Sequence, residues 1–189
     1  FDRVRQHLRN GHRVFLDSGV FGNFMARARA EAAGKPLPPE VSFTDVLDTY
    51  DRVAGELGPG DAPRLSLVMP DAIGDQGETL RLVRRYRERI LGYIARGIDV
   101  ILPVQRGALP AQQALRATAL ALGSEDFRAG VPSKAKAMSL AEVATLRHPR
   151  LHLLGRAAES RETRIRAFAL LEHNPDADLS CDANLLRPE

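Results

Sequence analysis

The sequence lacks several features that mark whole classes of protein. It has no run of about 18 apolar residues, so we expect no membrane-spanning helix and no membrane partner. Its single cysteine cannot form an internal disulfide, which favours a reducing compartment and predicts a cytoplasmic protein. No Cys and His array of the structural-zinc type is present. The nucleotide-binding patterns G-x-G-x-x-G after a strand and G-x-x-x-x-G-K-[ST] are also absent.

Strong charge of one sign is missing as well. The chain carries 27 Lys and Arg against 24 Asp and Glu, a net charge of +3, which permits a nucleic-acid partner without indicating one. What is present is an ordinary globular composition. The chain has 189 residues, of which 44% are hydrophobic, enough to bury one core, so we predict a single domain over residues 1–189.

Short apolar runs recur along the chain, each ending in small or polar residues. Continuous apolar runs bounded by turn residues are typical of strands that are buried on both faces. The predicted strands are Arg13–Asp17, Leu65–Asp71, Asp99–Gln105, Phe127–Pro132, Leu151–Gly155 and Ala177–Asp182.

Stretches with helical periodicity separate most of these runs. The predicted helices cover Glu78–Arg96, Ala111–Leu122 and Ser160–Glu172, and Ser139 begins a capping-box pattern that starts another. The long gap before the second strand predicts a helix and a Pro/Gly-rich insertion at about 34–63, which we expect to be a surface loop. Strands alternating with helices predict parallel strands joined by right-handed crossovers.

The ends of the predicted strands decide between an open sheet and a barrel. Polar residues follow many different strands, and a barrel gathers all its strand ends into one mouth, whereas an open sheet spreads them along a line. We therefore predict a TIM (β/α)8-type barrel. Only about six of the eight βα units are evident, and the chain begins at Phe1 without a Met, so we expect an incomplete or trimmed barrel from a longer protein.

The first strand end offers two interpretations. Asp17, Ser18 and Gly19 place a carboxylate at the barrel mouth beside a glycine that allows a ligand to approach closely. The same residues are also favoured at a helix N-cap after a βα turn. Phe21, four residues after Asp17, is either a stacking platform for a planar ligand or a core residue.

The middle strand ends offer similar pairs of interpretations. Asp71 could accept hydrogen bonds from a ligand or serve as a turn residue after Pro70. Gln105 and Gly107 place an amide beside flexible backbone, or form a plain loop. Gly130 could present its backbone N–H to a ligand oxygen, or simply end a strand.

The last strand carries a carboxylate out of a buried run. This residue, Asp182, is a candidate nucleophile or base, since a buried carboxylate is costly unless it is paired or faces a cavity. Cys181 is interpreted as a small buried filler. His148 and His152 are four residues apart, but Pro149 between them argues against a shared helical face and a metal pair. Carboxylates, an amide and one aromatic together suit a planar, hydrogen-bonding heterocycle.

Four short segments resemble one family in the same order along the chain. Residues 17–21 (DSGVF) resemble the D-S-G-G-[FY]-Q segment of tRNA-guanine transglycosylases, and residues 105–107 (QRG) resemble that family's Q-G-G or Q-Q-G segment. Residues 153–155 (LLG) resemble its L-M-G-V-G strand, and Cys181 is similar to the cysteine of its F-D-C segment. The strings MPDAIGDQGETL, PSKAKAMS and LSCDANLLRP look most similar to the branch that inserts 7-deazaguanines into DNA.

The resemblance implies a base-exchange pentosyltransferase built on a TIM barrel. It implies that an aspartate attacks C1′ of guanosine and that a 7-deazaguanine such as preQ0 replaces guanine. By matching, Asp182 would be the nucleophile and Asp17 the general acid/base, Phe21 would stack on the base, and Asp71 and Gln105 would read its edge. The substrate-binding residues implied are Ser18, Gly19, Phe21, Asp71, Gln105, Gly107, Gly130 and Gly155.

The implied partners are nucleic acid, DNA before tRNA, and the 7-deazaguanine base, with helper subunits or a second copy of the chain also possible. No cofactor is evident in this chain, and the family's zinc-binding segment would lie beyond it. The sequence departs from the family pattern where Asp182 follows Cys181 instead of preceding it, which leaves Asp178 as another candidate nucleophile, and where Val20 replaces a glycine.

Three other functions stay open at this point. One is tRNA-guanine transglycosylase activity proper. Another is a different TIM-barrel enzyme, such as a lyase or aldolase acting on a small polar metabolite. The third is a non-catalytic nucleic-acid-binding barrel.

Overall fold

The computed structural model describes residues 2–58, 60–156 and 161–182. Each of the apolar runs predicted as a strand is a strand in this part of the chain. Every neighbouring pair is parallel, and the strands lie in sequence order across one sheet. They are β1 (Val14–Leu16), β2 (Leu65–Val68), β3 (Asp99–Pro103), β4 (Arg128–Pro132), β5 (Arg150–Arg156) and β6 (Asp178–Asp182).

Helices connect the strands as parallel pairing requires. The described helices are α1 (Asp2–Arg9), α2 (Val20–Ala32), α3 (Phe43–Gly55), α4 (Gln76–Arg85), α5 (Arg87–Ala95), α6 (Ala111–Leu122), α7 (Leu140–Thr145) and α8 (Arg161–His173). The single helix predicted over Glu78–Arg96 is two helices, because Tyr86 leaves helical geometry at φ −103° and ψ 14°. The capping box at Ser139 is confirmed. None of the helices described is long and apolar enough to cross a membrane.

The sheet is curled into a half-barrel. The Phe15 ring on β1 stacks on the His152 ring on β5, with centroids 5.1 Å apart and an interplanar angle of 12°. Four strand spacings would separate these two strands by about 19 Å in a flat sheet. The contact across the sheet therefore confirms the prediction of a TIM-type barrel that is trimmed, with six strands in the described part of the chain.

Strict alternation along the strands sorts side chains into two layers. One set packs under the helices and forms the hydrophobic core, and it comprises Leu65, Leu67, Val100, Leu102, Ala129, Val131, Leu151 and Leu153. The alternate set faces the inside of the curl, where Phe15 meets His152. Polar side chains lie inside the curl at both ends of the strands. Those at the amino-terminal ends form ion pairs, and those at the carboxyl ends form the candidate site.

An ion-pair network lies at the amino-terminal end of the curl, where β3, β4 and β6 begin. Arg128 is 5% exposed, and its guanidinium bonds Asp99 at 2.9 Å and Asp178 at 2.6 Å. It also donates to the carbonyl oxygens of Leu151 and Asp178. Asp178 shares a strand face with Asp182, as the sequence predicts, but it lies four residues away from the mouth and pairs with Arg128.

The segment predicted as a Pro/Gly-rich surface loop at 34–63 contains α3. Ser42 caps this helix by accepting a hydrogen bond from the Asp45 N–H at 3.2 Å. Leu47, Tyr50, Val53 and Ala54 are buried along one face, so α3 is the crossover helix between β1 and β2. The Pro/Gly tracts only flank it. By contrast, α2 precedes it at the mouth and buries none of its residues 20–32.

Candidate active site at the open end of the curled sheet

Asp17 follows β1 at the carboxyl edge of the sheet. The helix after it begins at Val20, and its N-cap is Gly19, which has φ +75° and supplies no side-chain cap, so Asp17 is not the N-cap of α2. Burial of its carboxyl raises the pKa of Asp17, and the charge of Asp182 raises it further, while the backbone N–H of Gly19 opposes the change. Ser18 is buried, and its Oγ lies 3.4 Å from the Val20 nitrogen. The Asp17 carboxylate at the end of β1 therefore lies near the Asp182 carboxylate at the end of β6.

Asp71 lies beyond the end of β2 and is only 7% exposed. Burial raises the pKa of Asp71 to about 7, the nearby Asp17 charge raises it too, and a hydrogen bond from Gln105 works against both. Gln105 Nε2 donates to Asp71 Oδ2 at 2.5 Å, and its Oε1 accepts from the Gly74 N–H at 2.9 Å. The protein therefore uses both ends of the Gln105 amide to orient Asp71.

Asp182 ends β6 on the inner face and has both carboxylate oxygens engaged. His152 Nε2 lies 2.7 Å from Oδ1, and the Gly155 N–H donates to Oδ2 at 2.6 Å. Gly155 has φ +101° and sits where the pairing of β5 with β6 shifts register between Leu153 and Arg156. Such a bulge re-aims backbone groups next to a site.

His152 is the site residue that sequence reasoning misses. The sequence suggests it only as a metal partner for His148, and rejects that role. In the structure His152 is 3% exposed and faces the inside, while His148 packs on Phe127, with ring centroids 4.9 Å apart. Burial lowers the pKa of His148. The signal that could have found His152 is its place between Leu151 and Leu153, whose side chains face the helices.

The remaining predicted residues divide between the rim and the scaffold. Phe21 is 50% exposed at the rim, with Lys134 Nζ 5.7 Å from its ring centroid, so the alternative of a core residue is wrong. Gly130 lies inside the sheet, and an added Cβ would come within 3.1 Å of the Pro103 Cα atom. Gly107 is exposed and packs on Gln76, where an added Cβ would come within 2.4 Å of the Gln76 Cβ atom.

The open end is acidic. In the described part of the chain, the recorded ion pairs include none between a Lys or Arg and Asp17, Asp71 or Asp182. No group of three or more His, Cys, Asp or Glu among the described residues has a geometry that could hold a metal ion. The exposed face of Phe15, a residue 38% exposed, lies on the inside of the curl beside His152. Carboxylates and aromatic faces thus converge at one mouth.

Fold and site together define a TIM-type half-barrel with polar and titratable side chains at the carboxyl ends of its strands, the end where barrel enzymes carry their active sites. No protein-family model matches the sequence, and no curated protein matches it. Several solved structures are similar, and the three described next have TM-scores below 0.5.

The first is a D-psicose 3-epimerase with D-tagatose from Clostridium cellulolyticum H10, at 10% identity over 95% of this chain and 78% of that chain, with a TM-score of 0.48. The second is a probable 3-DHS dehydratase involved in petrobactin synthesis from Bacillus anthracis, at 11% identity over 95% and 85%, with a TM-score of 0.46. The third is a xylose isomerase domain containing protein from Salmonella typhimurium LT2, at 14% identity over 95% and 82%, with a TM-score of 0.39.

The expected membership of the tRNA-guanine transglycosylase family is wrong, and so is the guanine/7-deazaguanine transglycosylase activity that it implied. No family model supports it, and the similar structures carry the names of a sugar epimerase, a dehydratase and an isomerase-like protein. The error has a physical source. The matched segments are short strand ends, and small residues recur there for structural reasons, as at Gly19 with φ +75° and Gly155 with φ +101°.

Proposed function

We propose that this protein is a barrel enzyme that binds a small, neutral, hydroxyl-rich metabolite such as a carbohydrate at the open end of the curl and catalyses proton transfer on it. The observation that carries the proposal is the convergence of Asp17, Asp71 and Asp182 at the open end, with the Phe15 ring stacked on the His152 that contacts Asp182. Active sites of barrel enzymes lie at this end of the sheet.

The lining chemistry argues for the substrate class. Ionised carboxylates accept hydrogen bonds from hydroxyl groups, and the aromatic faces of Phe15 and Phe21 suit the carbon-bound hydrogens of a sugar ring or chain. None of these three carboxyl groups has a Lys or Arg ion-pair partner among the described residues, and whichever of them are ionised disfavour a phosphate or carboxylate ligand, although Lys134 lies at the rim beside Phe21. A neutral polyhydroxylated molecule satisfies both conditions.

Asp71 is the proposed acid/base. With a pKa of about 7 it holds and releases a proton near neutral pH, which is the condition for efficient general acid/base catalysis. Its carboxylate would take a proton from a carbon beside the substrate carbonyl, and the resulting acid would return a proton to the enediolate. Gln105 holds Asp71 in position, and the charge of Asp17 favours the protonated form.

The test is solvent deuterium incorporation. A panel of neutral aldoses and ketoses, together with sugar phosphates, is incubated with the protein in D2O, and proton NMR follows loss of the signal from the hydrogen on the carbon beside the carbonyl. We expect exchange with at least one sugar, rising with pH through about 7, and a loss of about 100-fold or more in Asp71→Asn. Asp176→Asn, at an exposed turn, is the matched control and should keep the wild-type rate.

Two results would overturn the proposal. Exchange confined to sugar phosphates would refute the neutral substrate class. Exchange that survives in Asp71→Asn at the wild-type rate would refute the assignment of the acid/base.

A further inference from the structure

His152 is a buried polar residue of the mouth to which the acid/base chemistry of Asp71 assigns no part. It lies in the middle of β5 on the inner face and is 3% exposed. Its ring is held flat against Phe15, with centroids 5.1 Å apart. This packing and burial favour one orientation of the ring.

Those contacts favour one ring nitrogen as the carrier of the proton. Asp182 Oδ1 lies 2.7 Å from Nε2, and an ionised carboxylate only accepts hydrogen bonds, so Nε2 is the donor. Ser180 Oγ lies 2.8 Å from Nδ1 and 3.5 Å from the Leu151 carbonyl oxygen, and if the ring is neutral with its proton on Nε2, Nδ1 is the nearer acceptor for the hydroxyl. The result is a directed chain in which Ser180 donates to His152 and His152 donates to Asp182.

A second donor completes the hold on Asp182. The Gly155 N–H reaches Oδ2 at 2.6 Å, and it is aimed there by the register shift in β5 and by the φ of +101° at Gly155. An added Cβ at this position would lie 2.6 Å from Ser133 Oγ, so the close approach also depends on glycine. Two residues of β5, His152 and Gly155, therefore contact both carboxylate oxygens of Asp182 on β6.

We propose that His152 is a positioning residue that, with the tautomer set by Ser180, holds the Asp182 carboxylate in one orientation at the mouth. Asp182 is then a fixed hydrogen-bond acceptor for a substrate hydroxyl, while the mobile proton belongs to Asp71. The role in substrate binding rests on the proposed function, whereas the geometry of the His152 and Asp182 pair does not. Groups held in this way typically change activity by about 10–100-fold when their support is removed.

The first test is nitrogen NMR of protein labelled at its five histidines, with the His152 signals assigned by their loss in His152→Gln. We expect His152 as a single tautomer protonated at Nε2 at pH 7. Replacing Asp182 by Ala should shift these signals while leaving those of the exposed His12 unchanged. Protonation of Nδ1 in the unaltered protein would overturn the proposal, even if Asp182→Ala fails to fold. Unchanged His152 signals in a folded Asp182→Ala would do the same.

The second test compares His152→Gln with His152→Leu in the deuterium-exchange assay. The glutamine amide still offers an N–H to Asp182, so we expect partial retention of kcat in His152→Gln and a loss of about 10–100-fold in His152→Leu. Equal losses in two equally folded variants would indicate a purely structural role and overturn the proposal. If no sugar exchanges at all, the proposed function fails, but the tautomer measurement still decides the inference about His152.

Discussion

Asp71 shows how one residue couples the site to the stability of the fold. Its carboxyl is surrounded by protein and faces another carboxylate, so the folded state keeps its proton up to about pH 7, whereas the unfolded chain releases it near 3.8. Between these values the folded state binds more protons than the unfolded state. The contribution of Asp71 to stability is therefore present at low pH and is lost as the pH rises to about 7.

Replacing Asp71 by Asn tests this coupling. The amide cannot ionise, and its oxygen can still accept the hydrogen bond from Gln105. We expect wild type and Asp71→Asn to be about equally stable near pH 4, and the variant to be more stable by roughly 2–4 kcal/mol at pH 8. Chemical denaturation at both pH values measures the difference. A stability difference between wild type and Asp71→Asn that does not grow with pH would mean that Asp71 is not held protonated.

Gly155 is a second residue whose identity follows from its surroundings. Alanine there would combine a φ of +101° with a Cβ placed 2.6 Å from Ser133 Oγ. We expect Gly155→Ala to lower the free energy of unfolding by about 1–3 kcal/mol. The double variant, Gly155→Ala with Ser133→Ala, lacks the Ser133 hydroxyl. It should recover only the part of the lost stability that comes from the steric clash. Thermal unfolding of the single and double variants measures both effects, and full recovery would show that backbone strain is absent.

At the scale of elements, the two helices between β1 and β2 differ in kind. The α3 helix buries four residues against the core, whereas α2 buries none of its thirteen and is tied by Asn23 and Arg27 to the carbonyl oxygens of Pro39 and Pro38. Packing of an apolar face supplies most of the stability of a helix in a protein. The α2 helix therefore belongs to the least stable part of the described structure.

Hydrogen exchange provides the measurement for this difference. We expect the backbone amides of α2 to exchange much faster than those of α3, since they open without breaking core contacts. Mass spectrometry of peptides that cover 20–32 and 43–55 makes the comparison within one sample. Equal protection of the two peptides would show that α2 is held by contacts beyond those described.

At the scale of the whole molecule, ion pairs link the strands at the amino-terminal end of the curled sheet. Arg128 on β4 pairs with Asp99 on β3 and Asp178 on β6 and donates to the Leu151 carbonyl on β5, so a single side chain links four strands of the described sheet. The Arg128 and Asp99 side chains are largely buried, whereas that of Asp178 is 60% exposed, so removing Arg128 leaves chiefly Asp99 without compensation. This network stabilises the curl from the end opposite to the site.

We expect Arg128→Met to lower the free energy of unfolding by about 3 kcal/mol. Arg81→Met is the matched control, because Arg81 makes an exposed pair with Glu78 within α4, and a change of less than about 0.5 kcal/mol is expected there. Urea denaturation of both variants gives the comparison. Equal effects would show that the network contributes no more than a surface pair.

Much of this architecture is encoded locally. Apolar runs of five to seven residues, such as Leu65–Asp71 and Leu151–Gly155, predict buried strands, and the helices between them predict parallel pairing. The same alternation predicts that Asp17, Asp71 and Asp182 end up at one edge. The α3 helix was missed because the Pro/Gly tracts on both sides masked its spacing of buried residues, and the break at Tyr86 has no signal in the apolar pattern.

By itself, the sequence determined the strands, their parallel order, the trimmed barrel and the acidic strand ends, because these depend on periodicities of two and 3.6 within short segments. Only the tertiary structure decided which polar residues meet. His152 contacts Phe15, Ser180 and Asp182 across strands that are far apart in sequence, and the pKa of Asp71 depends on burial and on a charge 54 residues away at Asp17. Desolvation and contacts across a curled sheet are properties of the folded chain. The chemistry of the mouth therefore follows from the curling of the sheet.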